Sequence, residues 1–262
     1  MTLISLDAIK MRQLMSQALQ DQVQELTIYQ KIDSTNRVLL EQSITDHQLH
    51  ICLAEQQTQG RGRRGRQWFS PYGANLYLSI LKIFNLTMSE VSGLSILTAL
   101  AVVKVLNQQG IKAGLKWPND IYYQNKKLGG ILLEVTGQPS GPVKVVMGIG
   151  LNIKMPEQAE TQIDQAWIDL KNQNIDRNYL TVAILETLSL MILDYQKNQL
   201  KTLYLEWQKY DIWEGQGVYL IQGQTKIAGI CRGIDNLGAL CLEINGQIKT
   251  FQAGEVSLRK QE

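Results

Sequence analysis

A chain of 262 residues, 44% hydrophobic and 19% charged, is long enough to bury the core of one large domain and a small one. Its 26 Lys and Arg nearly cancel 24 Asp and Glu, which removes any global field for a polyanion or a membrane surface. Three cysteines, Cys52, Cys231 and Cys241, lack CxxC spacing, which argues against a disulfide framework or structural zinc site and fits reduced thiols in a cytoplasm.

The first twenty residues carry Asp7, Lys10 and Arg12 inside any apolar stretch, so neither a signal peptide nor a membrane span is expected. An amphipathic helix with Ile9 and Leu14 inward fits better. A strand over Thr27 to Ile32 leads to "STNRVLLEQ", where Ser34 is placed to cap a short helix. The two histidines, His47 and His50, read as solvated loop residues before the apolar run "HICLAE". After an Arg and Gly loop, "NLYLSILKI" alternates as a strand with one buried face. The stretch from Ser89 to Gly110 is apolar on most sides and predicts a buried helix ending at a left-handed glycine.

Four strand-like runs follow, "GLKW", "DIYY", "KLGGILLEV" and "VKVVMGIGLNI", separated by turn residues. Their close spacing predicts hairpins and therefore a mixed, largely antiparallel sheet. A helical stretch runs from about Asn178 to Tyr210. Beyond Trp213, short strands with Gly or Asn at their turns suggest a small barrel. The expected organisation is α+β, with residues 1–211 as a catalytic domain and residues 212–262 as a small β-barrel.

Three stretches stand out chemically. "GRGRRGRQW", Gly60 to Trp68, suits phosphate oxygens, because glycine lets backbone amides approach an anion and Arg offers a fork of donors. Taken alone it reads equally as a nucleic-acid grip, a lid over a phosphorylated ligand or a solvated basic turn. "KWPNDIYYQNKKLGG" brings Asn119 and Asp120 to the start of a strand and Lys127 to the start of another. "GIGLNI" lacks the third glycine and the following helix of a dinucleotide fingerprint, so that fold is rejected.

In this order, "DSTN", "AEQQTQGRGRRGRQWFSPYGANLYLS", "KWPNDIYYQNKKLGGIL", "GIGLNI", "RGIDNLGALCLE" and "GEVSLR" resemble the bacterial biotin protein ligases, also called biotin–(acetyl-CoA-carboxylase) ligases. The resemblance runs from about residue 27 to the C-terminus. It implies a class II synthetase-like catalytic domain followed by an SH3-like barrel. The implied reaction joins biotin to ATP as biotinyl-5′-AMP and then passes biotin to a lysine of the biotin carboxyl carrier protein of acetyl-CoA carboxylase. By the same match, Ser34, Thr35, Asn36, Gln57 and Asp120 lie around biotin. Gly60, Arg61, Gly62 and Arg63 fold over biotin and the adenylate phosphate. Lys127 sits between carboxylate and α-phosphate.

Arg66, Trp68, Asn119 and Asn152 match the nucleotide side, with Trp68 packed on adenine and Asn152 near Mg²⁺. Glu255 and Arg259 match positions that lean toward the nucleotide or carrier. Catalysis is expected from Lys127, Arg61 and Arg63, with no metal ligand assigned. Only about thirty residues precede "DSTN", too few for the winged helix-turn-helix of the bifunctional members, so a monofunctional enzyme without operator binding is expected. A homodimer is left open. The competing expectations are a lipoate or related acyl ligase of the same superfamily and a non-enzymatic nucleic-acid binder.

Overall fold

Alternating apolar residues in the first two thirds of the chain build one seven-stranded sheet. A computed structural model describes residues 4–88, 90–198, 203–254 and 256–261. The strands are β1 (Val23–Tyr29), β2 (Leu49–Ala54), β3 (Asn75–Phe84), β4 (Gly114–Lys116), β5 (Asp120–Tyr123), β6 (Lys126–Gly137) and β7 (Val143–Asn152). They lie in the order β1-β2-β3-β7-β6-β5-β4, parallel between β1 and β2 and antiparallel elsewhere. The expected mixed sheet and hairpins are present. Its first strand starts four residues earlier than the sequence suggested and ends at Tyr29, where the chain turns away toward the cleft.

Period-two alternation divides the side chains between two faces. Leu76, Leu78 and Ile80 of β3 and Val145, Met147, Ile149 and Leu151 of β7 enter the main core. The helices on that face are α1 (Ala8–Leu14), α2 (Gln17–Gln20), α4 (Gly93–Gln108) and α6 (Arg177–Asn198). Helix α4 is apolar nearly all round and accordingly buried, and Gly110, at φ 80°, follows its end. Ser89, expected to open this helix, lies outside the described residues. Between α3 (Thr35–Glu41) and the opposite face of the sheet, Leu39, Cys52, Leu81 and Val146 form a smaller core.

Several local expectations change. Ile9 and Leu14 are 72% and 41% exposed, whereas Met11, Met15 and Leu19 are buried. Asp7 caps the start of α1 by accepting from Ile9 N and Lys10 N, and Met11 and Met15, four apart, face the core where α1 packs on α6. Ser34 stands at the N-cap of α3 without a side-chain capping bond, being buried and turned into the cleft. His47 is exposed as expected, but His50 is buried on β2, with its Nε2 3.0 Å from both oxygens of Asp46. The single helix expected to Tyr210 is α6 and a separate α7 (Leu203–Gln208), between which lie residues outside the described set. A short α5 (Ala159–Gln162) follows β7.

The C-terminal strands are β8 (Gly217–Gln222), β9 (Thr225–Ile234), β10 (Leu240–Ile244), β11 (Gln247–Phe251) and β12 (Val256–Lys260), all antiparallel, in the order β11-β10-β9-β8-β12. One half of β9 pairs with β8 and the other with β10, so the sheet coils around it. Among the described residues no ladder joins the edges β11 and β12, and the expected barrel is an open, coiled five-stranded sheet. Trp117, 1% exposed, ties the two sheets by donating its indole N–H to Gly238 O at 3.1 Å.

Candidate active site

The face of the seven-stranded sheet that carries α3 also carries a partly open cleft, concave and lined by both polar and apolar side chains as ligand sites are. Two glycines form part of its floor. A Cβ on Gly148 would stand 2.3 Å from Asn36 Oδ1, and a Cβ on Gly150 would stand 2.7 Å from the Trp68 ring. The "GIG" text is therefore a floor on which two side chains rest, and its second glycine supports the tryptophan of the Arg loop.

A continuous hydrogen-bond chain rims the end of the cleft beneath α3. Ser70 Oγ donates to Trp68 O, and Gln57 Nε2 donates to Ser70 Oγ. Gln57 Oε1 accepts from Thr35 N at 2.9 Å and Thr35 Oγ1 at 3.1 Å. Ser79 Oγ lies 2.7 Å from Thr35 Oγ1 and 2.6 Å from Asn36 Oδ1, and Asn36 Nδ2 donates to Glu134 Oε2 at 2.8 Å. Buried polar groups this fully engaged hold one geometry, which suits recognition of a polar ring. Gly60 permits the close approach, since a Cβ there would meet Trp68 O at 2.4 Å and Ser70 Oγ at 2.5 Å.

The Arg loop is a closed hairpin. Gly62 N donates to Arg66 O and Trp68 N to Gly60 O, with a tip at Arg64 and Gly65 in the left-handed region. Arg61 pairs with Glu134 Oε1 at 2.9 Å. Arg63 donates to Asn119 Oδ1 at 3.0 Å and to the carbonyls of Ala253 and Gly254 at 2.7 and 3.0 Å, which latches the loop to the C-terminal sheet. Trp68 Nε1 is buried without a partner. Asn119 in turn gives its Nδ2 to Ile131 O at 2.6 Å.

Lys127 lies at the centre. Its ammonium is 2.7 Å from Asp120 Oδ1 and 5.5 Å from the Trp68 ring centre, with 12% of the side chain exposed. Its backbone is fixed on both sides, donating to Ala166 O and accepting from Ile168 N. A largely desolvated, immobile cation acts strongly on charge that develops beside it. The three cysteines are buried, and burial pushes the thiols of Cys52 and Cys231 up to about 12, which removes them as nucleophiles.

Of the residues singled out in the sequence, Ser34, Thr35, Asn36, Gln57, Arg61, Gly62, Arg63, Arg66, Trp68, Asn119, Asp120, Lys127 and Arg259 all line this cleft. Gly60 supports its wall. Asn152 is not among the lining residues: it is 3% exposed and donates to Ile168 O, so it braces the segment behind Lys127. Glu255 lies outside the described residues. Sequence reasoning missed Ser79, Glu134 and Lys116. Each is a polar residue interrupting an apolar run, in "YLSIL", "ILLEV" and "GLKW", and that interruption was the available signal.

Comparison with known proteins identifies the family. Residues 28–152 match the biotin/lipoate A/B protein ligase family, and residues 215–259 match the biotin protein ligase C-terminal domain. The chain is 41% identical over 234 residues to the bifunctional ligase/repressor BirA of Escherichia coli, covering 88% of this chain and 73% of that one. It is 31% identical to the biotin–(acetyl-CoA-carboxylase) ligase of Mycobacterium tuberculosis, covering 88% of each. A biotin protein ligase from Aquifex aeolicus, solved in complex with biotin and ATP, superposes with a TM-score of 0.76 at 28% identity, covering 91% of this chain and all of that one. The chain belongs to the biotin protein ligase family.

Proposed function

We propose that the protein is a biotin–protein ligase that forms biotinyl-5′-AMP from biotin and ATP and then transfers biotin to a lysine of a carrier protein. The observation that carries this is Lys127, a largely buried ammonium paired with Asp120 between a hydrogen-bonded polar end and an aromatic wall. A carboxylate must approach a triphosphate in the first step, and like charges repel unless a cation lies between them. In the second step the same ammonium stabilises charge on the departing AMP, so one residue serves both half-reactions.

The roles of the remaining residues follow from their places. Ser34, Thr35, Asn36 and Gln57, with Ser79 behind them, present short hydroxyl and amide groups to the ureido ring of biotin. Asp120, expected beside biotin, orients Lys127 through their ion pair. Arg61 exchanges Glu134 for the biotin carboxylate or adenylate phosphate, and Arg63 and Arg66 close over the nucleotide with Trp68 against adenine. Enclosure keeps water from a hydrolysable mixed anhydride.

Among the described residues no group of three or more His, Cys, Asp or Glu side chains converges on a metal position. In this reading magnesium would come with the nucleotide and would be held largely by phosphate oxygens and water, as its reluctance to dehydrate favours. The biotin carboxyl carrier protein of acetyl-CoA carboxylase is the proposed acceptor. Among the described residues no helix is long and apolar enough to cross a membrane, and the cytoplasm, where ATP and reduced thiols coexist, is the proposed compartment. Residues 1–211 are proposed as the catalytic domain and 212–262 as its C-terminal companion.

Incubation with Mg-ATP and either biotin or lipoate, with adenylates read by mass spectrometry, tests the assignment. Biotinyl-AMP is the expected product. Lipoyl-AMP without biotinyl-AMP would move the protein to the lipoate branch of its superfamily.

A further inference from the structure

The hydrogen-bond chain at the polar end of the cleft does not balance. Four oxygens follow one another along it, Asn36 Oδ1, Ser79 Oγ, Thr35 Oγ1 and Gln57 Oε1, at successive contacts of 2.6, 2.7 and 3.1 Å. A contact between two oxygens needs a proton, and of these four groups only the Ser79 and Thr35 hydroxyls carry one. Both ends are amide oxygens, which only accept. With the Thr35 proton on Gln57, the Ser79 proton can serve Asn36 or Thr35 but not both, and every other rotation of the hydroxyls leaves some contact bare as well. The three contacts share two protons.

This shortage holds only while both amides keep their oxygens toward the hydroxyls. Gln57 is kept so by the backbone, since its Oε1 accepts from Thr35 N at 2.9 Å while its Nε2 donates to Ser70 Oγ, whose own proton goes to Trp68 O. Asn36 is kept so by Glu134. Its Nδ2 donates to Glu134 Oε2 at 2.8 Å and lies 3.4 Å from Leu132 O, so a turned amide would set its oxygen against a carboxylate and a carbonyl, two acceptors. The same turn would bring the amide N–H to Ser79 and supply the missing proton. Glu134 is braced in its place by Arg61, which pairs with Oε1 at 2.9 Å. It stands on β6 two residues past Leu132, which lines the cleft, and is not itself a lining residue.

We propose that Glu134 determines which ring the cleft accepts: by fixing the Asn36 amide it keeps the polar end one proton short, so that this end takes a ring that brings an N–H and rejects an isosteric ring that brings a lone pair. The proposal rests on the ligase reading, in which the ureido ring of biotin enters here with two N–H groups. A ring N–H completes the proton count. A ring oxygen in its place sets a lone pair against acceptors that already lack a proton, and the dithiolane ring of lipoate brings no donor at all. Rejection then comes from protein groups left unpaired by the wrong ligand, which discriminates more strongly than the loss of an apolar contact. Glu134 does not touch the ring and acts through Asn36 and Ser79.

The test compares calorimetric dissociation constants for biotin and its two cyclic carbamate analogues, each with one ring N–H replaced by oxygen. The unsubstituted protein should bind at least one carbamate about tenfold or more weakly than biotin. In Glu134→Gln, which keeps the size of the side chain, the new amide can follow Asn36 in either orientation, and in Glu134→Leu nothing holds it; in both the ratio should fall to within about threefold. Arg61→Met removes the same ion pair but leaves the Asn36 amide held, and should keep the ratio whatever its affinity for biotin. Each ratio is taken within one variant, so a general loosening of the fold cancels from it. A ratio kept in the Glu134 variants while all three ligands weaken together reduces Glu134 to a structural role and overturns the proposal, as does a ratio lost equally in Arg61→Met. Equal binding of biotin and both carbamates by the unsubstituted protein overturns it too and leaves the ligase reading standing, whereas no binding of biotin by that protein sinks the ligase reading itself.

Discussion

Gly148→Ala gives a sharp test of how the polar end of the cleft is built. The new methyl group would stand 2.3 Å from Asn36 Oδ1 and 2.9 Å from its Cγ, far inside contact distance, so Asn36 must withdraw. Withdrawal breaks the bond from Asn36 Nδ2 to the Glu134 carboxylate at 2.8 Å and the 2.6 Å contact with Ser79 Oγ. A bond to a charged group contributes ~1.5–3 kcal/mol and a neutral one ~0.5–1.5 kcal/mol, so the loss is about 2–4.5 kcal/mol. Denaturant unfolding and calorimetric titration with biotin read the two consequences, a less stable fold and weaker biotin binding. In an Asn36→Ala background the obstacle is gone, so Gly148→Ala should then cost little, giving a coupling energy of about 2 kcal/mol. Strictly additive effects of the two substitutions would refute the account, because they would mean that the glycine is not there to seat Asn36.

Three further outcomes are expected. Arg61→Ala removes a lid contact and should let biotinyl-AMP escape, measured as biotin on lysines of an unrelated bystander protein; labelling confined to the carrier contradicts a sealing role. Burial lowers the pKa of Lys116 to about 8, so denaturant unfolding should show stability rising with pH from about 8 toward the ordinary lysine value, and a rise of the same size in Lys116→Met contradicts this. Because the folded pKa lies below the ordinary lysine value, charging this group opposes folding at pH below about 8, and the penalty is relieved as pH rises from there toward the ordinary value. Arg177→Met strands the Glu55 carboxylate, which now receives NH1 at 2.7 Å and NH2 at 3.1 Å in a pair 1% and 3% exposed; denaturant unfolding should show a loss of about 3–5 kcal/mol, and a loss under 1 kcal/mol would contradict this.

Much of the architecture is legible in the sequence because it rests on local signals. The hairpins from β4 to β7 follow from apolar runs separated by turn residues, and α4 follows from an apolar stretch closed by a left-handed glycine. The phase of α1 was lost because seven residues offer two overlapping apolar stripes, and only packing against α6 selects Met11 and Met15 over Ile9 and Leu14. His50 looked like a loop residue because β2 begins one position before it, and Asp46, four residues earlier, supplies its partner. Within the site, motif text located most of the residues that touch the cleft, but not Ser79 and Lys116, which also line it, nor Glu134, which holds Asn36 and Arg61. Ser79 and Glu134 act through Asn36, Thr35 and Arg61, partners more than 40 residues away in sequence, and no local pattern encodes such contacts. Asn152 is the converse case, a motif residue that donates its Nδ2 to Ile168 O and is absent from the cleft lining.

The central claim is that an ammonium at Lys127 makes and then spends biotinyl-AMP in this cleft. Intact-protein mass spectrometry of a carrier domain incubated with biotin, Mg-ATP and either the unsubstituted protein or Lys127→Ala tests it most directly, alongside calorimetric biotin binding to both. One biotinyl group on one acceptor lysine is expected with the unsubstituted protein, and a rate lower by at least about a hundredfold with Lys127→Ala, which should still bind biotin. Near-normal transfer by Lys127→Ala, or no biotinylation by the unsubstituted protein, would contradict the account.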